Sequence, residues 1–165
     1  MEASPNIKVF TDGSYEPQIA YGAWAALIVY NNKEKMLSGT AEQASQHKME
    51  LQAVIQSLEY ISEYYGSDMQ VELYTDSEYV ENLIHRKEKL IKNDFITKKG
   101  NYINHAADIK QFYHLEENLN VTINRVPGHQ KKGVSLITDR NRRVDKLARK
   151  LVKQKRKGSE NDSSA

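Results

Sequence analysis

Two short stretches of the chain end alike: Lys8-Val9-Phe10-Thr11-Asp12-Gly13-Ser14 and Val71-Glu72-Leu73-Tyr74-Thr75-Asp76-Ser77. In each, apolar alternation leads into Thr-Asp and a small residue. That pattern predicts a β-strand presenting a carboxylate where it stops, with a turn to follow. Two further acids accompany them: Glu50 in Lys48-Met49-Glu50-Leu51, and Asp145 in Arg143-Val144-Asp145-Lys146-Leu147-Ala148. Any one of these acids alone reads as well as a turn, N-cap or first-turn helix residue. Converging together without cationic partners, they would repel one another, and hard divalent cations would neutralise them. Mg²⁺ prefers oxygen ligands and bridges to substrate phosphates. Two such ions ~4 Å apart can activate a water and stabilise the leaving oxygen of an in-line displacement. Val126-Pro127-Gly128-His129 adds an imidazole able to move protons near neutral pH. By itself, a histidine after glycine is just as readily a surface residue.

The elements that must position these groups follow from hydrophobic period. Gly22 to Tyr30 is almost continuously apolar, as a strand covered on both faces would be. Asn31-Asn32-Lys33 suits a hairpin turn, and Glu34 to about Glu42 reads as an edge strand antiparallel to it. From Ser45 or Gln46 the period becomes helical, through Met49, Ala53, Ile55, Leu58, Ile61 and Tyr65 to Gly66. Met69 to Thr75 is a strand and Ser77 to about His85 a helix. Arg86 to Lys99 is a mixed, lysine-rich segment. Ile103 to about Glu117 is a helix and Asn120 to Val126 a strand. After a loop to about Thr138, Arg140 to about Gln154 is a basic helix. The order βββ-α-β-α-α-β-α predicts a mixed sheet, with right-handed crossovers setting strands four and five beside strand one. Ligands in such sheets collect beyond the C-terminal strand edge, where Asp12 and Asp76 would lie.

Composition bounds the class. A length of 165 residues suits one domain with a real core. With no cysteine, neither a disulfide framework nor a thiolate metal site is available. The opening Met-Glu-Ala-Ser-Pro has no secretory character, and no apolar run approaches the ~18 residues that span a bilayer. A cytoplasmic protein that does not enter the membrane is therefore expected. The net charge of +2 conceals an asymmetry, because residues 140–157 hold ten Lys/Arg against one acid, Asp145. An acidic body with a basic C-terminal segment is a footprint of phosphate binding, and equally of a solvated helix face. Lys155 to Ala165 has nothing to bury, and disorder is expected there.

In order, Thr-Asp-Gly-Ser, Met-Glu-Leu, Tyr-Thr-Asp-Ser, Val-Pro-Gly-His and Asn-x-x-x-Asp-x-Leu-Ala resemble type 1 ribonuclease H over about residues 6–152. The resemblance implies an α/β fold with a five-stranded mixed sheet, order 3-2-1-4-5, and helices on both faces. It implies a catalytic domain over residues 1–154, followed by the tail 155–165. The implied activity is hydrolysis of the RNA strand of RNA–DNA hybrids with two Mg²⁺ ions, for which Mn²⁺ substitutes, leaving 5′-phosphate and 3′-hydroxyl ends. The implied partner is the hybrid alone, bound by a monomer. Residue by residue, the metal-binding carboxylates fall on Asp12, Glu50, Asp76 and Asp145, and the histidine serving metal and product turnover on His129. Backbone groups reading the RNA 2′-hydroxyl map to Gly13, Ser14 and Gln46, with Glu50 nearby. A DNA-phosphate pocket maps to Ser45 and Asn104.

The chain departs from the family pattern in several places. Gln46 stands where Asn is usual, and Gln43 where the phosphate pocket has Arg. The Gly/Pro-rich loop after the first strand is replaced by Tyr15-Glu16-Pro17-Gln18-Ile19-Ala20. The Trp-rich basic protrusion keeps only the lysines of 86–99, and the loop from His129 to Asp145 is long and carries Lys131 and Lys132. Two alternatives stand beside the nuclease reading: a catalytically weak hybrid-binding module of the same fold, and a transposase or resolvase core.

Overall fold

The structure is a computed structural model that describes residues 6–127 and 135–163, with side chains as far as residue 158. Five strands form one sheet in the order β3-β2-β1-β4-β5: β1 (Asn6–Glu16), β2 (Tyr21–Tyr30), β3 (Lys33–Glu42), β4 (Gln70–Thr75) and β5 (Asn120–Arg125). β1, β2 and β3 are antiparallel neighbours, while β4 and β5 run parallel to β1. This is the mixed topology expected from the element order. The β2–β3 hairpin turns through Asn31 and Asn32, both with positive φ, 50° and 62°. Two left-handed residues match the right-handed twist of the flanking strands, and asparagine tolerates them better than most residues.

Strand alternation sends two sets of side chains to two faces. Ile7, Val9, Val71 and Leu73 pack with Leu51, Val54 and Leu58 of α1 (Gln46–Tyr64), Val80 and Leu83 of α2 (Glu78–His85), and Phe112 of α4 (Ala106–Asn118). On the other face, Phe10, Ala25 and Leu27 pack with Val144 and Ala148 of α5 (Leu136–Ser163). Helices therefore cover both faces, and Asp12 shares the Phe10 face with α5.

Four boundaries differ from the sequence expectation. β1 does not turn at Gly13-Ser14 but continues to Glu16, with Gly13 opposite Trp24 and Ser14 opposite Ala23 on β2. Gly13 is needed for close approach. A Cβ there would lie 2.6 Å from the Glu50 nitrogen and 2.7 Å from the Met49 carbonyl carbon. The mixed segment 86–99 contains a short helix, α3 (Lys87–Lys92), followed by a bridge between Ile96 and Tyr102. The next helix starts at Ala106, because His105 takes a left-handed φ of 63° that no helix continues through. Finally, α5 begins at Leu136, where Ser135 Oγ accepts from the Thr138 N–H at 3.0 Å. It runs to Ser163, through residues expected to be disordered. Lys153 to Lys157 are Lys, Gln and Arg, good helix formers that carry α5 beyond its apolar stripe.

Replacing Gly13 by alanine drives a methyl group into α1 backbone, which cannot swing aside as a side chain would. The expected cost is about 1–3 kcal/mol, seen as a lower urea midpoint at unchanged m-value.

Candidate active site

Thr11 lies opposite Thr75 in the parallel pair β1–β4. Asp12 and Asp76, one residue further on, are thereby brought side by side where the β1–β4 pairing stops, in a sheet whose strands are about 4.8 Å apart. Asp145 reaches them from α5. Its neighbours Val144 and Ala148 seat that helix over Phe10, and its carboxyl comes within hydrogen-bonding reach of Asp12. Asp12 is only 5% exposed, and its Oδ1 accepts from the Gly13 N–H at 2.8 Å. Burial first, then the charges of Asp76 and Asp145, push its pKa up to about 9, against a smaller lowering by Gly13. A carboxyl that holds its proton through neutral pH is being crowded by its own kind.

Glu50 joins this group through polar side chains. Ser77 Oγ donates to Glu50 Oε2 at 2.6 Å and also caps α2 by accepting from the Val80 N–H at 3.1 Å. Gln46 Nε2 donates to Glu50 Oε1 at 3.1 Å and to the Gly13 carbonyl at 2.9 Å. Gln46 thus ties the first turn of α1 to the end of β1. Arg125 Nε donates to the Asp76 carbonyl at 3.1 Å, and Arg149 pairs with Asp145 at 3.0 Å.

Ser45 lies next to Gln46, capping α1 by accepting from the Lys48 N–H at 3.1 Å. Its hydroxyl is also 3.4 Å from His105 Nε2. Asn104, the residue before His105, is exposed. Burial lowers the His105 pKa, with Asp108 opposing and Lys48 and His47 adding to the lowering. Ser14 is half-buried at the end of β1. His129 lies outside the described residues. Among the lysines of 86–99, Lys87 is not available to a ligand as expected. Its ammonium sits 2.7 Å from Glu116, 2.8 Å from Glu117 and over the Tyr113 ring.

Three residues of the site escaped the sequence reading: Ser77, Arg125 and Arg149. Ser77 was within sight as the last residue of Thr-Asp-Ser, and Arg149 stands four residues after Asp145, the spacing at which helical neighbours pair. Arg125 carried no signal, because only the β4–β5 pairing brings it to Asp76.

The donor set fits a hard divalent cation. The carboxylates of Asp12, Asp76 and Asp145 crowd together, and Arg149 pairs with Asp145. The side chains do not stand ready-closed around an ion. Among the described residues no group of three or more His, Cys, Asp or Glu has metal-holding geometry as it stands. The fit is one of charge and oxygen chemistry.

A buried acid cluster at the C-terminal edge of a mixed sheet is the arrangement of a nucleic-acid hydrolase of the RNase H fold. The RNase H family model matches residues 4–153, and the chain belongs to the ribonuclease H family. It is 27% identical over 152 residues to the Ribonuclease H of Caldicellulosiruptor saccharolyticus, covering 91% of this chain and 98% of that one. It is 30% identical to the Ribonuclease H of Prosthecochloris aestuarii, covering 91% and 97%. In fold it resembles the crystal structure of LC9-RNase H1, a type 1 RNase H with the type 2 active-site motif, with a TM-score of 0.74 at 19% identity, covering 90% of this chain and 72% of that one. The solution structure of the PFV RNase H domain gives 0.70 at 22%, covering 90% and 94%.

Because folding raises the Asp12 pKa from 3.8 to about 9, the metal-free protein loses stability as pH climbs through that window. Asp12→Asn keeps an acceptor for the Gly13 N–H and removes the titration. The variant should match the wild type near pH 4 and exceed it at pH 8 by about 2 kcal/mol, a Tm gain of about 4–8 °C. Added Mg²⁺ should raise the wild-type Tm more than the variant's.

Proposed function

We propose that this protein is an endonuclease that hydrolyses the RNA strand of RNA–DNA hybrids, leaving 5′-phosphate and 3′-hydroxyl ends. The observation that carries the reading is the buried Asp12, crowded by Asp76 and Asp145 at the sheet edge of a ribonuclease H family fold. Asp12, Glu50, Asp76 and Asp145 hold two Mg²⁺ ions, for which Mn²⁺ substitutes. When bound, such ions supply a metal-activated water and neutralise charge on the leaving oxygen.

The chain's own residues do the positioning. The Gly13 N–H fixes one oxygen of Asp12 and so aims the other. Ser77 and Gln46 hold the two oxygens of Glu50, setting that carboxylate in one orientation before substrate arrives. The backbone of Gly13 and Ser14, with Gln46 and Glu50, faces the RNA 2′-hydroxyl, the group that separates RNA from DNA. Ser45 and Asn104, with His105 between them, take a phosphate of the DNA strand. His129 moves protons at the departing product. The catalytic domain is residues 1–154. The protein acts as a cytoplasmic monomer, and among the described residues no helix is long and apolar enough to cross a membrane.

A labelled RNA–DNA hybrid incubated with Mg²⁺ or Mn²⁺ tests the reading. The wild type should cut the RNA strand only, and Asp12→Asn or Asp76→Asn should lower kcat by at least ~10³-fold while remaining folded. Intact RNA with both metals, or equal cutting by the Asp76→Asn variant, would overturn it.

A further inference from the structure

The basic final helix carries more charge than the acid site uses, and nine of its ten cations between residues 140 and 157 fall into two groups. On its flanks they are tied down. Arg143 pairs with Glu34 at 2.7 Å, Arg149 with Asp145 at 3.0 Å and Arg156 with Glu16 at 3.7 Å, while Arg140 lies over Phe10 and Lys155 over Tyr21. Lys146, Lys150, Lys153 and Lys157 are different. All four are exposed, and none has an ion-pair or ring partner among the described residues. Their spacing of four, three and four residues puts them in one row along α5, on the side away from Val144 and Ala148. No acid interrupts residues 146–158. Lysines three and four residues apart repel one another, so the row is an arrangement that an anionic ligand would relieve.

The row is continuous with the acid site. A groove of about 980 Å³ takes its lining from Asp76 and Asp145 and from all four lysines, with Arg142, Arg143 and Arg149 beside them. From Lys146 to Lys157 the helix rises about 16 Å, matching the rise of roughly five nucleotides on one strand. We propose that this lysine row is a phosphate track, gripping the sugar–phosphate backbone of the hybrid where it runs outward from the cleavage position. The track rests on the hybrid-hydrolase reading above, and its partner is the nucleic acid already in the site. The compact, rotatable ammonium of lysine suits sequence-independent phosphate contact. The track also supplies grip on a chain whose Lys87 is consumed by Glu116 and Glu117.

The test is a variant with all four lysines changed to glutamine, K146Q/K150Q/K153Q/K157Q, beside a control with the distant pair K33Q/K35Q. Binding is followed by fluorescence anisotropy in the Asp12→Asn background with Mg²⁺ present, on hybrids of about 8 and about 24 base pairs. The long hybrid should bind the fourfold variant at least ~10-fold more weakly at ~0.1 M salt. Its log–log salt slope should be shallower by about 3–4, near one counterion per lost contact. The short hybrid should lose much less, and the control pair should change neither. An unchanged slope and affinity on the long hybrid would overturn the track, as would an equal loss on both lengths. Loss of poly-glutamate binding with hybrid binding intact would overturn it in favour of an acidic protein partner. Because all four lysines are solvent-facing, an unchanged Tm accompanies the expected result. If the wild type cuts no hybrid with either metal while the length-dependent loss persists, the hydrolase reading fails and the track stands.

Discussion

Thr11 opposite Thr75 is the register on which the site depends. Parallel pairing of β1 with β4 at that register sets Asp12 and Asp76 side by side where that pairing stops, and β1 is also the strand over which α5 packs. A slip of one residue would turn Asp12 toward α1 and Phe10 out of its cluster, because side chains alternate between faces. The apolar alternation of β1 therefore holds the acid in place. Ile7 and Val9 belong to the α1 core and Phe10 to the α5 core, so both sides resist slippage. Packing stabilises a site that is electrostatically unfavourable without cations.

Around that register the protein builds short, polar connections instead of ion pairs. Gly13 lets the first turn of α1 descend onto β1, and the same descent allows Gln46 to reach both the Gly13 carbonyl and Glu50. Ser77 serves β4, α2 and Glu50 at once: its N–H donates to Thr75, while its hydroxyl caps α2 and binds the carboxylate. Glutamine and serine orient a carboxylate without neutralising it. On Asp145 the partner is instead a cation, Arg149.

α5 divides its labour by face. Val144, Ala148 and Val152 are buried, two arginines clamp β1 and β3 through Glu16 and Glu34, and the outer side carries Lys146, Lys150, Lys153 and Lys157. Elsewhere two lysines are engaged within the protein: Lys87 on the end of α4, and Lys110 over Phe95 and Tyr102. The lysine row of α5 lines one groove with Asp76 and Asp145.

Order, type and approximate span of the strands and of the longer helices were legible in sequence, because two-residue and 3.6-residue periods are local and the Asn-Asn hairpin has a local cause. The ordered motifs carrying Asp12, Glu50, Asp76 and Asp145 were legible as short strings that resemble the ribonuclease H family. Gly13 was misread as a turn, since the force that selects glycine there comes from α1 backbone more than thirty residues away. The reach of α5 to Ser163 was missed because lysine-rich composition speaks to solubility as much as to helix. Only tertiary structure decided that Asp12 is the crowded acid, that Ser77 and Gln46 orient Glu50, that Arg125 reaches Asp76, and that Lys87 is spent while Lys146, Lys150, Lys153 and Lys157 are not. Burial, desolvation and ion pairing depend on which distant residues meet, and strand register and helix packing settle that.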